Sequence, residues 1–190
     1  RHEEAPGRIA NSARNRAVLP VGRSFVKGVD LFDGHVVRSH ADLAIPGRHL
    51  GLTAQRTYTS AGVDRAGLVG AGWALSYESR LFVTECGVIV QTADGSSQMF
   101  RSTDGGETFK PQRGYHTRLR KNEDLSYDFF DKAENRHHFE EPSDALAPEG
   151  DRRLLYIEEP HGDRIVLAYD LTSRLIHVRE VHPESGTVRQ

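Results

Sequence analysis

From Val21 onward the apolar residues fall in short runs, often alternating with polar neighbours, and Gly, Pro, Asp or Asn closes most of them. Leu50, Leu52 and Ala54 alternate with Gly51, Thr53 and Gln55, the period of two expected of a half-buried strand. Helix is a poor reading, because 18 Gly and 8 Pro interrupt almost every window of helical length. The pattern predicts strands over 35–38, 50–58, 73–83, 88–92 and 97–101, then 116–121, 126–130 and 136–140. Turns are expected at Pro46-Gly47, Glu85 to Gly87, Asp94-Gly95, Asn122 to Asp124 and Asp131 to Asn135. Asp-Gly between two apolar runs is a strong short-range signal for a hairpin. The expected class is all-β, built of antiparallel hairpins in an open sheet.

The last segment is the most regular. Arg153-Leu154-Leu155-Tyr156-Ile157 recurs as Arg174-Leu175-Ile176-His177-Val178, displaced by 21 positions. Between the copies lie a turn, Glu159 to Arg164, and a strand, Ile165 to Asp170. A unit of strand, turn, strand and turn buries one face only by stacking on neighbours. Three segments follow from these textures. Residues 1–20 read as a polar arm or linker, 21–150 as a β region, and 151–190 as the first repeats of a series continuing past Gln190.

Composition narrows the classes. A net charge of -2 and a pI near 6.6 give no pull towards phosphate backbones, so nucleic acid is not an expected partner. No apolar run reaches the roughly 18 residues of a membrane span. Arg1 to Arg16 carry no apolar core of a signal peptide. With one cysteine, Cys86, no intrachain disulfide forms, so sheet pairing and burial must hold the chain together.

Candidate chemistry stays thin. His137 and His138 are adjacent on an expected strand and so point to opposite faces, and no Cys or His spacing suits zinc; no metal and no cofactor is expected. Cys86 sits in a turn beside Glu85, whose charge disfavours a thiolate. Asp94, Asp131, Glu159 and Asp170 could pair for glycoside hydrolysis, but all occupy turns, where carboxylates accept backbone hydrogen bonds. Trp73, Tyr58, Tyr77, Tyr127 and Tyr169 could stack on a sugar, or fill a core. The Gly67–Gly72 run lacks the Lys-Ser/Thr of a phosphate loop and reads as backbone room beside Trp73.

Several phrases, taken in order, resemble the N-terminal conserved region of RHS/YD-repeat proteins. Asp42 to Leu52 with Pro46 and Gly47, running on to Arg56-Thr57-Tyr58-Thr59-Ser60, is similar to that family's opening phrase. Gly70 to Leu81, with Gly72, Trp73 and Tyr77, resembles its "G-x-G-W-x-x-S-Y-x-x-R-L". Asp94-Gly95 to Phe100 is similar to its Asp-Gly hairpin, and Glu159 to Asp170 resembles a YD repeat, with Gly162 in the turn and Tyr169-Asp170 at the naming position. Asn135 and Ser173 stand where the family favours Gly, which implies turns that are strained or of another type.

The resemblance covers roughly residues 28–190. It implies a non-enzymatic segment of a β-strand shell that encloses a C-terminal toxin until delivery, in a protein used in interbacterial competition. The implied partners are the rest of the shell, the toxin cargo and a secretion-system component. The implied location is on a secretion apparatus or outside the cell. The other class left open is a cell-surface module binding glycan or protein.

Overall fold

The computed structural model describes residues 25–31, 34–47, 51–60, 66–93, 97–102, 104, 106, 108–112, 114–143, 149–182 and 188–189. Asp94, Gly95 and the expected arm over 1–20 lie outside these residues. Among the described residues there is no α-helix, and no helix long and apolar enough to cross a membrane. The all-β expectation holds.

The strands, in chain order, are β1 (Phe25–Val26), β2 (Val29–Asp30), β3 (Val37–Ile45), β4 (Leu52–Thr59), β5 (Ala66–Gly67) and β6 (Gly70–Ala71). There follow β7 (Trp73–Leu75), β8 (Arg80–Thr84), β9 (Gly87–Gln91), β10 (Ser97–Ser102), β11 (Phe109–Lys110) and β12 (Arg118–Lys121). The last are β13 (Tyr127–Phe130), β14 (Arg136–Phe139), β15 (Gly150–Glu158), β16 (Arg164–Tyr169), β17 (Leu175–Val181) and β18 (Val188–Arg189). β3, β4 and β7 form one antiparallel sheet; β1 with β2, and β5 with β6, form two small ones.

Eleven strands make the main sheet, whose central path runs β11-β10-β9-β8-β15-β14-β13-β12. It curls until β11 and β12 lie side by side without ladder pairing, so the open sheet is a nearly closed barrel. β16, β17 and β18 extend from β15 as a wing. Curling follows from burial. Leu81, Val88, Val90 and Phe100 on one arc must meet Leu119, Phe129, Phe139 and Leu154 on the other, and all eight are under one tenth exposed. Phe100 meets Phe129 edge-on at 6.0 Å, and Phe109 meets Tyr127 at 5.9 Å across the seam. Burying each such side chain contributes roughly 1.5–3 kcal/mol, which a flat sheet would forgo.

Two strand expectations need correction. The run 73–83 is not one strand: Ser76 to Ser79 turn out of the ladder between β7 and β8. The Glu78 carboxylate accepts the Leu75 and Leu68 N–H groups, and Tyr77 swings into the core, so the chain leaves the β4 sheet for the barrel. Conversely β3 runs on to Ile45, well past Arg38. Its central residues are exposed on both faces, which erases the alternation that betrays a strand.

The meander from β12 to β17 repeats one turn. In 122–126, 131–135, 159–163 and 170–174 the first residue's carbonyl accepts the N–H of the fourth, and its N–H reaches the carbonyl of the fifth. The fourth residue takes positive φ: Leu125 at 67°, Glu134 at 64°, Gly162 at 94° and Ser173 at 63°. This is a type I turn followed by a bulge residue, matched to strand twist. Ser173 is strained, as its place predicts. In the 131–135 turn the strained position is Glu134 rather than Asn135, which instead bonds back to Asp131.

An L-residue in this region costs roughly 1–2 kcal/mol. Glu134→Gly, at an exposed side chain, is therefore expected to stabilise the chain by about 1 kcal/mol in urea denaturation, whereas Gly162→Ala costs about as much. Equal effects of the same sign would contradict a shared turn geometry.

Candidate functional site

Tyr169 of the YD-like phrase has a definite task. Its hydroxyl donates to the Leu154 carbonyl at 2.8 Å, and Leu154 is fully buried. At that point β15 changes partners: Gly150 to Arg153 pair with β8, while Leu154 to Glu158 pair with β14 across a register shift. Burial pushes the Tyr169 hydroxyl up to about 12, so it stays a donor. Arg153 lies over the Tyr169 ring at 5.1 Å, pairs with Glu140 at 2.6 Å and reaches Ser173 in the turn just before the second repeat copy. Asp170 starts its turn. Hydrogen bonds from the Arg174 backbone and from Thr172 hold its carboxyl below the usual range. Asp131 takes the same bonds from Ala133 and Asn135. Both carboxylates thus serve the backbone, as their turn positions predict.

The earlier motif residues gather in the β3-β4-β7 sheet. Tyr58 and Trp73 pair at 5.4 Å, and the Arg56 guanidinium lies 5.5 Å over the Trp73 ring. Arg56 also grips Asp42, with its two nitrogens on the two carboxylate oxygens, and these bonds hold the Asp42 carboxyl low. The glycines give room, as expected: a Cβ on Gly67 would lie 2.0 Å from the Trp73 carbonyl oxygen, and one on Gly72 2.8 Å from the Tyr58 ring. The Tyr77 oxygen accepts the Thr53 N–H at 2.9 Å and ties this sheet to the core. Pro46 and Gly47 follow the end of β3. β9 and β10 pair as the Asp94-Gly95 signal requires.

Sequence reasoning missed the polar row on the other face of the meander. Arg120, Asp128, His138 and Tyr156 stand opposite one another on successive strands. Asp128 is buried between His138, 2.7 Å away, and Arg120. Burial alone would raise its carboxyl, but the His138 and Arg120 hydrogen bonds outweigh it and bring it to about 2. The His138 ring stacks on Tyr156 at 4.5 Å, and Arg136 and Arg164 both lie over the same tyrosine. His137 points the other way, to Asp131 at 3.3 Å, so the two histidines do take opposite faces. A second cluster sets His182 between Asp163, 2.9 Å away, and Glu180, 3.4 Å away, all under one tenth exposed. The one available signal was a charge inside an apolar strand, Asp128 in Tyr127-Asp128-Phe129-Phe130.

One end of the barrel opens into a cavity of about 660 Å³, bounded by the β8–β9 turn with Cys86, the end of β10, and the β11–β12 seam. Buried Val88, Phe109 and Tyr127 line it together with Glu85, Arg101, Lys121 and Glu149.

Two outcomes are expected from this geometry. Tyr169→Phe, which strands the buried Leu154 carbonyl, costs about 1–2 kcal/mol by chemical denaturation, and no loss would refute the pinning role. Asp128 has a depressed folded-state pKa, so its contribution is present above about pH 4 and lost as pH falls towards 2. Asp128→Asn should flatten stability against pH across that window, and an unchanged slope would count against the pairing.

Residues 27–100 match a family model described as a domain of unknown function, DUF6531. No curated protein sequence matches the chain. Among solved structures, the N-terminal domain of the effector protein SpvB from Salmonella typhimurium strain LT2 is similar at a TM-score of 0.49 and 14% identity, over 79% of this chain and 70% of that one. Likeness at that level leaves the role to be argued from the chain's own residues.

Proposed function

We propose that this chain is a structural wall segment of an RHS/YD-repeat shell in a secreted bacterial toxin, closing round a C-terminal toxin domain until delivery, and that it is not an enzyme. One observation carries the reading: four hairpin turns of a single meander share the same hydrogen bonds and the same positive-φ position. A repeated turn that keeps register lets strands be added without altering the curvature of the sheet, which is what a wall needs. Glycan recognition is less well supported, because the Tyr58–Trp73 pair turns ring to ring and Arg56 covers the indole.

The reading draws further support from strand edges. β17 pairs with β18 only at Glu180 and Val181, which leaves Leu175 to Arg179 without a ladder partner beyond β16 among the described residues. Ile176 on that stretch is 53% exposed. A wall segment is meant to meet neighbours there, in the rest of the shell, the cargo or the secretion apparatus. In sedimentation velocity the chain should therefore associate as its concentration rises, and Ile176→Lys should shift it towards monomer. A monomer at every concentration, indifferent to that substitution, would defeat the proposal.

A further inference from the structure

We infer that the open edge of β17 docks an extended strand whose side chains alternate between acidic and apolar. The turn bonds at Glu159–Asp163 and Asp170–Arg174 set the alternation of the ladder. They tie the His177 and Arg179 backbone to β16 and turn the Val178 N–H and carbonyl outward. Among the described residues no strand takes those outward groups, because β18 meets β17 only at Glu180 and Val181. An added strand matches such an edge with its own backbone.

Charge selects the strand. His177 and Arg179 share one face of β17, in register with Ala168 and Val166, and exposed Arg174 stands just before the strand. Among the described residues neither His177 nor Arg179 forms an ion pair, and the Arg179 Nε has no hydrogen-bond partner. The nearby carboxylates are committed elsewhere. Glu180 is buried beside His182, Asp170 accepts the N–H groups of its own turn, and Glu158 holds Arg136 and Arg164. A strand laid on this edge sets alternate side chains opposite His177 and Arg179, where acidic residues are favoured and basic ones repelled. Its intervening side chains fall beside Val178, which packs against the core, and are therefore apolar. The inference rests on the wall reading and adds the chemistry of the neighbour.

The full chain, dilute enough to be monomeric, is titrated into fluorescein-labelled Thr-Glu-Val-Glu-Val-Thr or Thr-Lys-Val-Lys-Val-Thr. Binding is followed by anisotropy, with hydrogen exchange of the Val178 amide as a second readout. The acidic peptide should bind saturably and slow that amide, and the basic peptide should do neither. Arg179→Glu should weaken the acidic peptide about tenfold and admit the basic one; if that variant loses its β-sheet circular dichroism, His177→Glu replaces it. Equal binding of the two peptides, binding of neither, or an unchanged preference in the folded variant would each overturn the inference. A chain that self-associates in sedimentation yet ignores the acidic peptide sinks this inference and leaves the wall reading standing; peptide binding without self-association does the reverse.

Discussion

The structure depends on one strand with two sets of partners. β15 pairs with β8 through Gly150 to Arg153, and with β14 through Leu154 to Glu158, while β16 joins along Tyr156 to Glu158. The first pairing closes the barrel and brings Leu81 and Phe100 onto Phe129 and Phe139. The second and third carry the meander. Neither half has a core alone: the arc of β8 to β11 is apolar on its inner side and needs the other arc to cover it. The Tyr169 hydroxyl on the Leu154 carbonyl holds the crossing point, and the Arg80–Asp151 pair at 2.9 Å lies beside it. Pairing β8 with β15 joins residues about seventy positions apart, a long loop closure that slows folding until local hairpins have formed.

Those local hairpins gain their uniformity at a cost. Three of the four repeated turns place Leu, Glu or Ser where glycine would be comfortable. In the 131–135 and 170–174 turns an aspartate offsets part of that cost by accepting two backbone N–H groups; at 122–126, Asp124 bonds to Ser126 instead. The strain is tolerated because strand pairing on both sides, and the aromatic and arginine rows on Phe130, Tyr156 and Tyr169, fix the register from outside the turn. A turn held by its flanks can vary in sequence while keeping one shape, as a repeat wall requires.

Much of this was legible in the residues. Period-two alternation marked β4, Asp94-Gly95 marked the β9–β10 hairpin, and the displaced copy of Arg153 to Ile157 marked β17. The glycine run before Trp73 announced a close approach of backbone. What stayed hidden was non-local or two-sided. The full length of β3 was invisible because both of its faces are wet and a register shift falls between Ala41 and Leu43. The break at Ser76 was invisible because Trp73 to Val83 looks extended throughout, and only the capture of Glu78 by two backbone N–H groups ends β7. Barrel closure and the cavity arise from contacts between arcs that periodicity cannot pair. Asp128 is buried by partners on two other strands, Arg120 and His138, so its own neighbours in sequence say little.

Native-state hydrogen exchange tests the shared strand most directly. If β15 carries both halves, its amides from Arg152 to Glu158 exchange only through global unfolding, and β8 to β10 and β13 to β16 exchange with the same free energy. Rapid exchange along β15, with the two arcs opening at separate free energies, would show two independent sheets and contradict the account.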